Sequence, residues 1–364
     1  MSEQPQLAPP NPVHGWAKRL SILNDAIAIP PTERSFLQKA GVLHADGTYC
    51  EKSALWRKAK PITVAPDMPS GPVEYMAGRW VWGGVLWRHF GHFVVESTGR
   101  LWGLSTMNGD IDGVVFAPKN PNSGTKLAGF QKDFLNMAGA KQVKVLERPV
   151  RFERLIVPGQ GFGIGDISAG TERCRAFFRT DFAREIKPNG PRRLYLSRSR
   201  IGPSRGALVC EDHIEQLLAD QGYEIFHPQE HSLPQQVARY KAADTIIASE
   251  GSALHMLAHV LQPHQAVAML VRRRSKATKY ISGHIESFSG RAPLIVEHVK
   301  QVWYPEGQRR PRFARSELDM RGVQIDLVEN GFIDRGAPWP QPSEETIIES
   351  LSSHPRAVPY RAAP

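Results

Sequence analysis

The sequence predicts an α/β protein of two Rossmann-like parallel-sheet domains facing a cleft. Three observations predict it. The chain has 364 residues, enough for two domains at roughly 100–200 residues each. Short apolar runs of roughly four to six residues alternate with helix-length segments in both halves, the pattern of a parallel sheet covered by helices. Lys187-Pro-Asn-Gly-Pro-Arg192 breaks that alternation with a charged, turn-forming stretch. Apolar residues make up 41% and charged residues 23%, an ordinary globular balance.

Along the chain, Pro5, Pro9, Pro10 and Pro12 mark residues 1–15 as a flexible tail. Residues 16–186 are expected to form the first domain, irregular up to Val73. His89–Leu104 is predicted helical, with Phe90, Phe93, Val94, Leu101 and Leu104 on one side. Gly113–Pro118 is predicted as a buried strand, Leu127–Ala138 as a helix, and Val143–Leu146 and Leu155–Val157 as strands. The second domain, 187–300, alternates more clearly. Strands are predicted at Leu194–Leu196, Tyr223–Phe226, Thr245–Ala248 and Val267–Val271, and helices at Glu211–Gln221, Leu233–Ala243 and Ala253–Leu261. Residues 301–364 are expected to return to the first domain as a basic, Pro-rich tail with one late helix, Glu344–Leu351.

Composition excludes some classes. No window approaches the ~18 uninterrupted apolar residues of a spanning helix, and the N-terminus lacks the apolar core of a secretory signal. Three scattered cysteines (Cys50, Cys174, Cys210) suit neither a disulfide framework nor a zinc cage, which points to the cytoplasm. The net charge of +10 and pI near 9.6 suggest an anionic partner. Val271-Arg-Arg-Arg-Ser-Lys276 and Gln308-Arg-Arg-Pro-Arg312 carry part of that excess. They lack the interleaved aromatics of a nucleic-acid platform. They are expected to be solvated surface, or to touch anionic lipid at the inner face of the membrane.

Two constellations carry chemistry. In the second half, Thr245-Ile-Ile-Ala-Ser-Glu-Gly-Ser-Ala-Leu-His255 is a strand, a small-residue turn and a helix start. Gly251 and Ser252 would leave the first helical N–H groups open to an anion. That reads as a pyrophosphate cradle with Ser249 and Ser252 as further donors, or as an ordinary capped turn. Ser197 and Arg198 end a neighbouring strand and Arg205 follows. Each charge-assisted arginine–phosphate bond contributes roughly 1.5–3 kcal/mol. Gly159-Gln-Gly-Phe-Gly-Ile-Gly165 is glycine-rich but fails the G-x-G-x-x-G register.

In the first half, His89, His92, Glu96 and Arg100 fall on one helical stripe. A His–Glu pair suits proton transfer, since the carboxylate orients the ring and raises its basicity. The same stripe could ligate a metal, though zincin helices space their histidines by four, or could hold a structural histidine.

Three stretches together resemble glycosyltransferase family 61, in its bacterial capsular-polysaccharide branch, formerly domain of unknown function 563. They are His92-Phe-Val-Val-Glu96 with Arg100-Leu-Trp102; Arg193-Leu-Tyr-Leu-Ser-Arg198 with Arg205 and Glu211; and Leu233 and Gln236 through Ala243-Asp244 to Glu250-Gly-Ser-Ala-Leu-His255. The resemblance implies a GT-B architecture, with 16–186 as the acceptor-side domain and the nucleotide-sugar donor held mainly by 187–300. It also implies inverting hexosyl or pentosyl transfer from a nucleoside diphosphate sugar to a glycan hydroxyl, without an obligatory metal or cofactor. Capsule, exopolysaccharide or lipopolysaccharide synthesis is the expected setting. Catalysis then falls to His92, Glu96 and His89, with His92 or Glu96 as base. Donor binding falls to Arg198, Arg205, Ser249, Glu250, Gly251, Ser252, Ala253 and His255. Glu250 stands where many eukaryotic members have His, Met256 where Asn is common, and Cys210 where Asn often precedes the glutamate. A non-catalytic nucleotide- or glycan-binding protein on the same fold is the rival expectation.

Overall fold

The computed structural model describes residues 7–106, 110–202, 205–352 and 360–363. The first six residues of the tail expected over 1–15 lie outside them, whereas Leu7 packs beside Trp16 and Trp56. Contacts divide the chain into two units, Met1–Glu185 and Ile186–Pro364.

The first unit holds a six-stranded sheet of β1 (Leu20–Ile29), β2 (Gly41–Leu43), β3 (Glu74–Leu86), β4 (Gly113–Pro118), β5 (Val143–Val145) and β6 (Val150–Pro158), in the order β2-β1-β6-β3-β4-β5. The pairs β6–β3, β3–β4 and β4–β5 are parallel. β1 runs antiparallel to both its neighbours, so this sheet is mixed where an all-parallel one was expected. Its core joins Trp80 and Trp82 of β3 to Val115 and Ala117 of β4 and to Phe152, Leu155 and Val157 of β6. The helices α1 (Gly129–Met137) and α2 (Glu172–Thr180) follow their strands.

The helix expected over 89–104 is replaced by three short pieces. Phe90–His92 is an α-turn, Phe93–Ser97 a π-helical turn and Leu101–Ser105 a 3₁₀ turn. Gly99 sits in the break, where an added Cβ would lie 2.2 Å from the Phe162 carbonyl oxygen. Only glycine allows that approach, and the backbone closes it with Gly161 N–H donating to Gly99 O at 2.8 Å. The glycine-rich 159–165 segment is thus a packing device of the first unit.

The second unit holds a five-stranded sheet of β7 (Arg193–Leu196), β8 (Glu224–Phe226), β9 (Thr245–Ser249), β10 (Ala266–Leu270) and β11 (Leu294–Val296). All pairs are parallel, in the order β8-β7-β9-β10-β11. Leu194 to Leu196 and Ile246 to Ala248 are buried at every position, as both-face burial of a parallel sheet requires. Around it stand α3 (Glu211–Ala219), α4 (Leu233–Ala242), α5 (Ala253–Ala258) and α6 (Ala277–Ser289). A capping box starts α4: Ser232 Oγ accepts from Gln235 N–H, and Gln235 Oε1 accepts from Ser232 N–H.

The C-terminal segment is built into this same unit, a different placement from the expected return to the first. β12 (Val299–Pro305), β13 (Arg315–Leu318) and β14 (Tyr360–Ala362) form an antiparallel sheet. Val323 and Leu327 of α7 (Met320–Glu329) share a core with Tyr195, Leu218 and Ile247. Ile347 and Leu351 of α8 (Glu344–Ser352) pack on Val209 and Cys210. Apolar positions at helical spacing dictate this burial. No described helix is long and apolar enough to cross a membrane.

Candidate functional site

In the first unit, the π turn buries Glu96, whose side chain has no exposure. Arg57 grips it from the end of the short strand Trp56–Arg57, which pairs antiparallel with Lys60–Pro61. Arg57 Nε donates to Oε1 at 2.8 Å and a terminal nitrogen to Oε2 at 2.7 Å, a bidentate fork. His92 Nδ1 lies 2.7 Å from the same Oε2. Burial alone would raise the Glu96 carboxyl, but the hydrogen bonds from His92 and Arg57 outweigh it and hold it below the usual range. A carboxylate acceptor fixes the proton on Nδ1 and leaves Nε2 as the basic nitrogen. The His92 side chain is 40% exposed. Its ring stacks on Trp87 with centroids 4.8 Å apart, and His89 meets it edge-on at 5.4 Å.

Arg100, expected on the same stripe, is turned away by the break in the helix. It is 1% exposed and donates to the Lys52 and Ala54 carbonyls, both at 2.7 Å. Its place beside Glu96 is taken by Arg57, which no spacing rule could find, since it lies 39 residues away. Lys119 completes this polar group. It donates to Gln38 Oε1 and to the Ser35 and Phe36 carbonyls. Burial, aided by Arg57, pulls its ammonium down to about 8.

In the second unit, the strand order reverses between β7 and β9. Such a switch point leaves a crevice at the carboxyl ends of the strands. There the chain places Ser197–Arg198 and Ser249–Gly251 side by side. A Cβ on Gly251 would lie 2.4 Å from an Arg198 terminal nitrogen, so the guanidinium rests directly on the glycine backbone. Arg198 also donates to the Gly206 carbonyl at 3.1 Å. Its own N–H reaches Glu211 Oε1 at 2.9 Å, and Tyr195 Oη reaches the same oxygen at 3.0 Å. Burial raises the Glu211 carboxyl, against the pull of Arg198. Burial likewise lowers the Arg198 guanidinium, and its Nε has no hydrogen-bond partner among the described residues. Ser197 and Ser199 both donate to Glu215 Oε1 at 2.5 Å.

The basic run at 271–276 is the largest departure from expectation. Arg272 is 3% exposed and its Nε donates to the Glu250 carbonyl at 2.9 Å. Arg273 is 18% exposed and its Nε donates to Glu250 Oε1 at 2.7 Å. Glu250 is fully buried, and its other oxygen faces the Arg272 N–H at 3.4 Å. Burial, with Arg198 and Arg273 close by, brings Arg272 down to about 9. Two of three consecutive arginines therefore turn inward toward the switch point, and the signal in the sequence was the lone Glu250 on β9's end.

The remaining predicted residues divide. Ser249 is buried and Ser252 and Ala253 lie at the start of α5. That helix has six residues and opens with 3₁₀-type bonds, Leu254 N–H to Gly251 O and His255 N–H to Ser252 O. Arg205 is exposed in the loop after β7 and adds to the positive field at Arg198. His255 faces α6, its Nδ1 3.0 Å from His284 Nδ1, and burial beside Arg273 lowers it to about 4. Among the described residues no group of three or more His, Cys, Asp or Glu is arranged to hold a metal ion.

No curated protein matches the chain. Residues 90–268 match the family model Glycosyltransferase 61. That span begins just before His92 and ends inside β10, so it takes in both the His92–Glu96 pair and the Arg198–Gly251 contact. Residues 90–268 are thus a glycosyltransferase family 61 domain, and that family implies a transferase of glycosyl groups.

Proposed function

We propose that the chain moves a hexosyl or pentosyl group, with inversion, from a nucleoside diphosphate sugar to a hydroxyl of a glycan acceptor. The observation that carries this reading is the Arg198 guanidinium seated on Gly251 at the β7/β9 switch point. It sets a buried cation, with an Nε lacking a partner among the described residues, at the place where parallel sheets bind ligands. Arg198 and Arg205 hold the diphosphate oxygens, and the inward-turned Arg272 and Arg273 add to the local positive field. Glu250 and Glu211 act as positioning residues that fix these arginines.

His92 Nε2 takes the acceptor hydroxyl's proton while Glu96 keeps the ring's Nδ1–H oriented. The acceptor oxygen forms its bond to the anomeric carbon as the bond to the diphosphate oxygen breaks, and the leaving nucleoside diphosphate keeps the electron pair. Charge growing on that leaving group meets preorganised arginines, which stabilise it without a required metal. The three cysteines are all unpaired and buried, which supports a reducing, cytoplasmic setting. Capsule, exopolysaccharide or lipopolysaccharide assembly would supply such acceptors.

A thermal-shift screen of the full chain against nucleoside diphosphates and their sugars tests the reading. Stabilisation by one nucleotide, lost in Arg198→Ala, is the expected result. Unchanged melting with every nucleotide would overturn the donor assignment.

A further inference from the structure

A groove of about 480 Å³ opens in the second unit beside Arg273. It follows the same edge of the sheet as the switch point, since Arg273 comes just after β10 and Glu297 just after β11. Arg273 belongs to both places: its Nε is held by buried Glu250, and its side chain lines the groove. A ligand anchored at Arg198 and extending past Arg273 would enter it.

The lining has a definite chemistry. Ser275, Thr278 and Ser282 supply three hydroxyls. Glu286 and Glu297 supply two carboxylates against one ammonium, that of Lys279, because Arg273 is already neutralised by Glu250. No aromatic ring lines it to stack a base. Carboxylates and hydroxyls of this kind accept from and donate to sugar hydroxyls, and the residual negative charge repels an anionic sugar.

Gly283 gives an independent indication. It stands inside α6 and faces the groove, and a Cβ there would meet no atom of the described residues within 4 Å. A glycine within a helix lowers stability relative to alanine, yet no neighbour among the described residues requires this one. The space it leaves is groove space.

Resting on the donor reading above, we infer that this groove holds the donor's glycosyl group and selects an uncharged polyhydroxylated sugar over a uronic acid. The test is calorimetric titration of the full chain with UDP, GDP, ADP and dTDP. It continues with the glucose, mannose, N-acetylglucosamine and uronate conjugates of whichever nucleotide binds. Gly283→Tyr, which fills the groove from an open position, and the double change Glu286→Ala with Glu297→Ala are measured alongside. The expected result is nucleotide affinity unchanged within about twofold and neutral sugar-nucleotide affinity lowered about tenfold or more in both variants. The uronate conjugate should bind the wild type about tenfold more weakly than a neutral one. If the nucleotide binds but both variants treat nucleotide and sugar nucleotide alike, the groove assignment falls while the donor reading stands. A uronate conjugate that binds as tightly as a neutral one overturns the stated selectivity. Failure of every nucleotide to bind removes the donor reading itself.

Discussion

Arg198 lies so close to Gly251 that a Cβ at 251 would sit 2.4 Å from its terminal nitrogen and 3.2 Å from Cζ. Gly251→Ala therefore cannot be accommodated without moving the guanidinium. The expected outcome is loss of nucleoside diphosphate affinity by about tenfold, with a stability cost of about 1–3 kcal/mol from overpacking. Calorimetric titration paired with denaturant unfolding separates the two effects.

The three arginines at 272–274 should behave unequally although they are neighbours in sequence. Arg273→Ala strips the ion partner from a fully buried Glu250, and breaking such a pair costs about 3–5 kcal/mol. Arg274 is exposed, so Arg274→Ala should stay within about 0.5 kcal/mol. Urea unfolding of the two variants provides the comparison, and equal midpoints would show that the inward turn at 272–273 is not formed.

For the His92–Glu96 pair, His92→Ala should leave nucleotide binding intact and cut turnover by about 10²–10⁴-fold. Glu96→Gln should lower turnover and also destabilise by roughly 3 kcal/mol, since the Arg57 fork loses its charge. The sign of its pH effect follows from the depressed carboxyl. The contribution is complete above the ordinary carboxylate range and is lost as pH falls through the folded value. Melting curves taken on acidification should show that loss in the wild type and a shallower one in Glu96→Gln.

The His255–His284 contact predicts a second acid dependence. His255 takes its proton near 6.5 in the unfolded chain but only at about 4 when folded, because burial penalises the cation and Arg273 repels it. His284 is depressed further in the same direction, chiefly by burial. Between these values the unfolded state binds more protons, so stability is full above 6.5 and falls as pH drops toward 4. His255→Asn removes one of the titrating groups and should make that fall shallower in pH-dependent thermal unfolding.

The second unit was legible because its central strands are buried on both faces and its helices are short and separate. The four strands predicted there start and end within a residue or two, as with Thr245–Ser249, whereas α6, β11 and the antiparallel strands after them were not read from the sequence. The first unit hid more. β1 alternates poorly, with exposed Asn24 and Asp25 before a run of buried residues, so periodicity found no strand at 20–29. The stripe through His89, His92, Glu96 and Arg100 assumed an unbroken helix. The i,i+4 pair survived because it spans a single turn, whereas Arg100 lay beyond the break at Gly99. Arg57 and the inward arginines depend on contacts distant in sequence, and no local rule reports those.

The β7/β9 junction also bears on how the molecule folds. Arg198 and Gly251 are brought together only when two parallel strands, separated by a whole strand–helix excursion through β8 and α4, have found their register. Pairings of that kind close late, after local helices have formed. On the donor reading proposed above, an intermediate carrying α3 and α4 but lacking the β7/β9 pair has no place for a nucleotide. Ligand occupancy then acts as a reporter of chain completion: it pulls the population toward the finished sheet by mass action and leaves earlier species untouched.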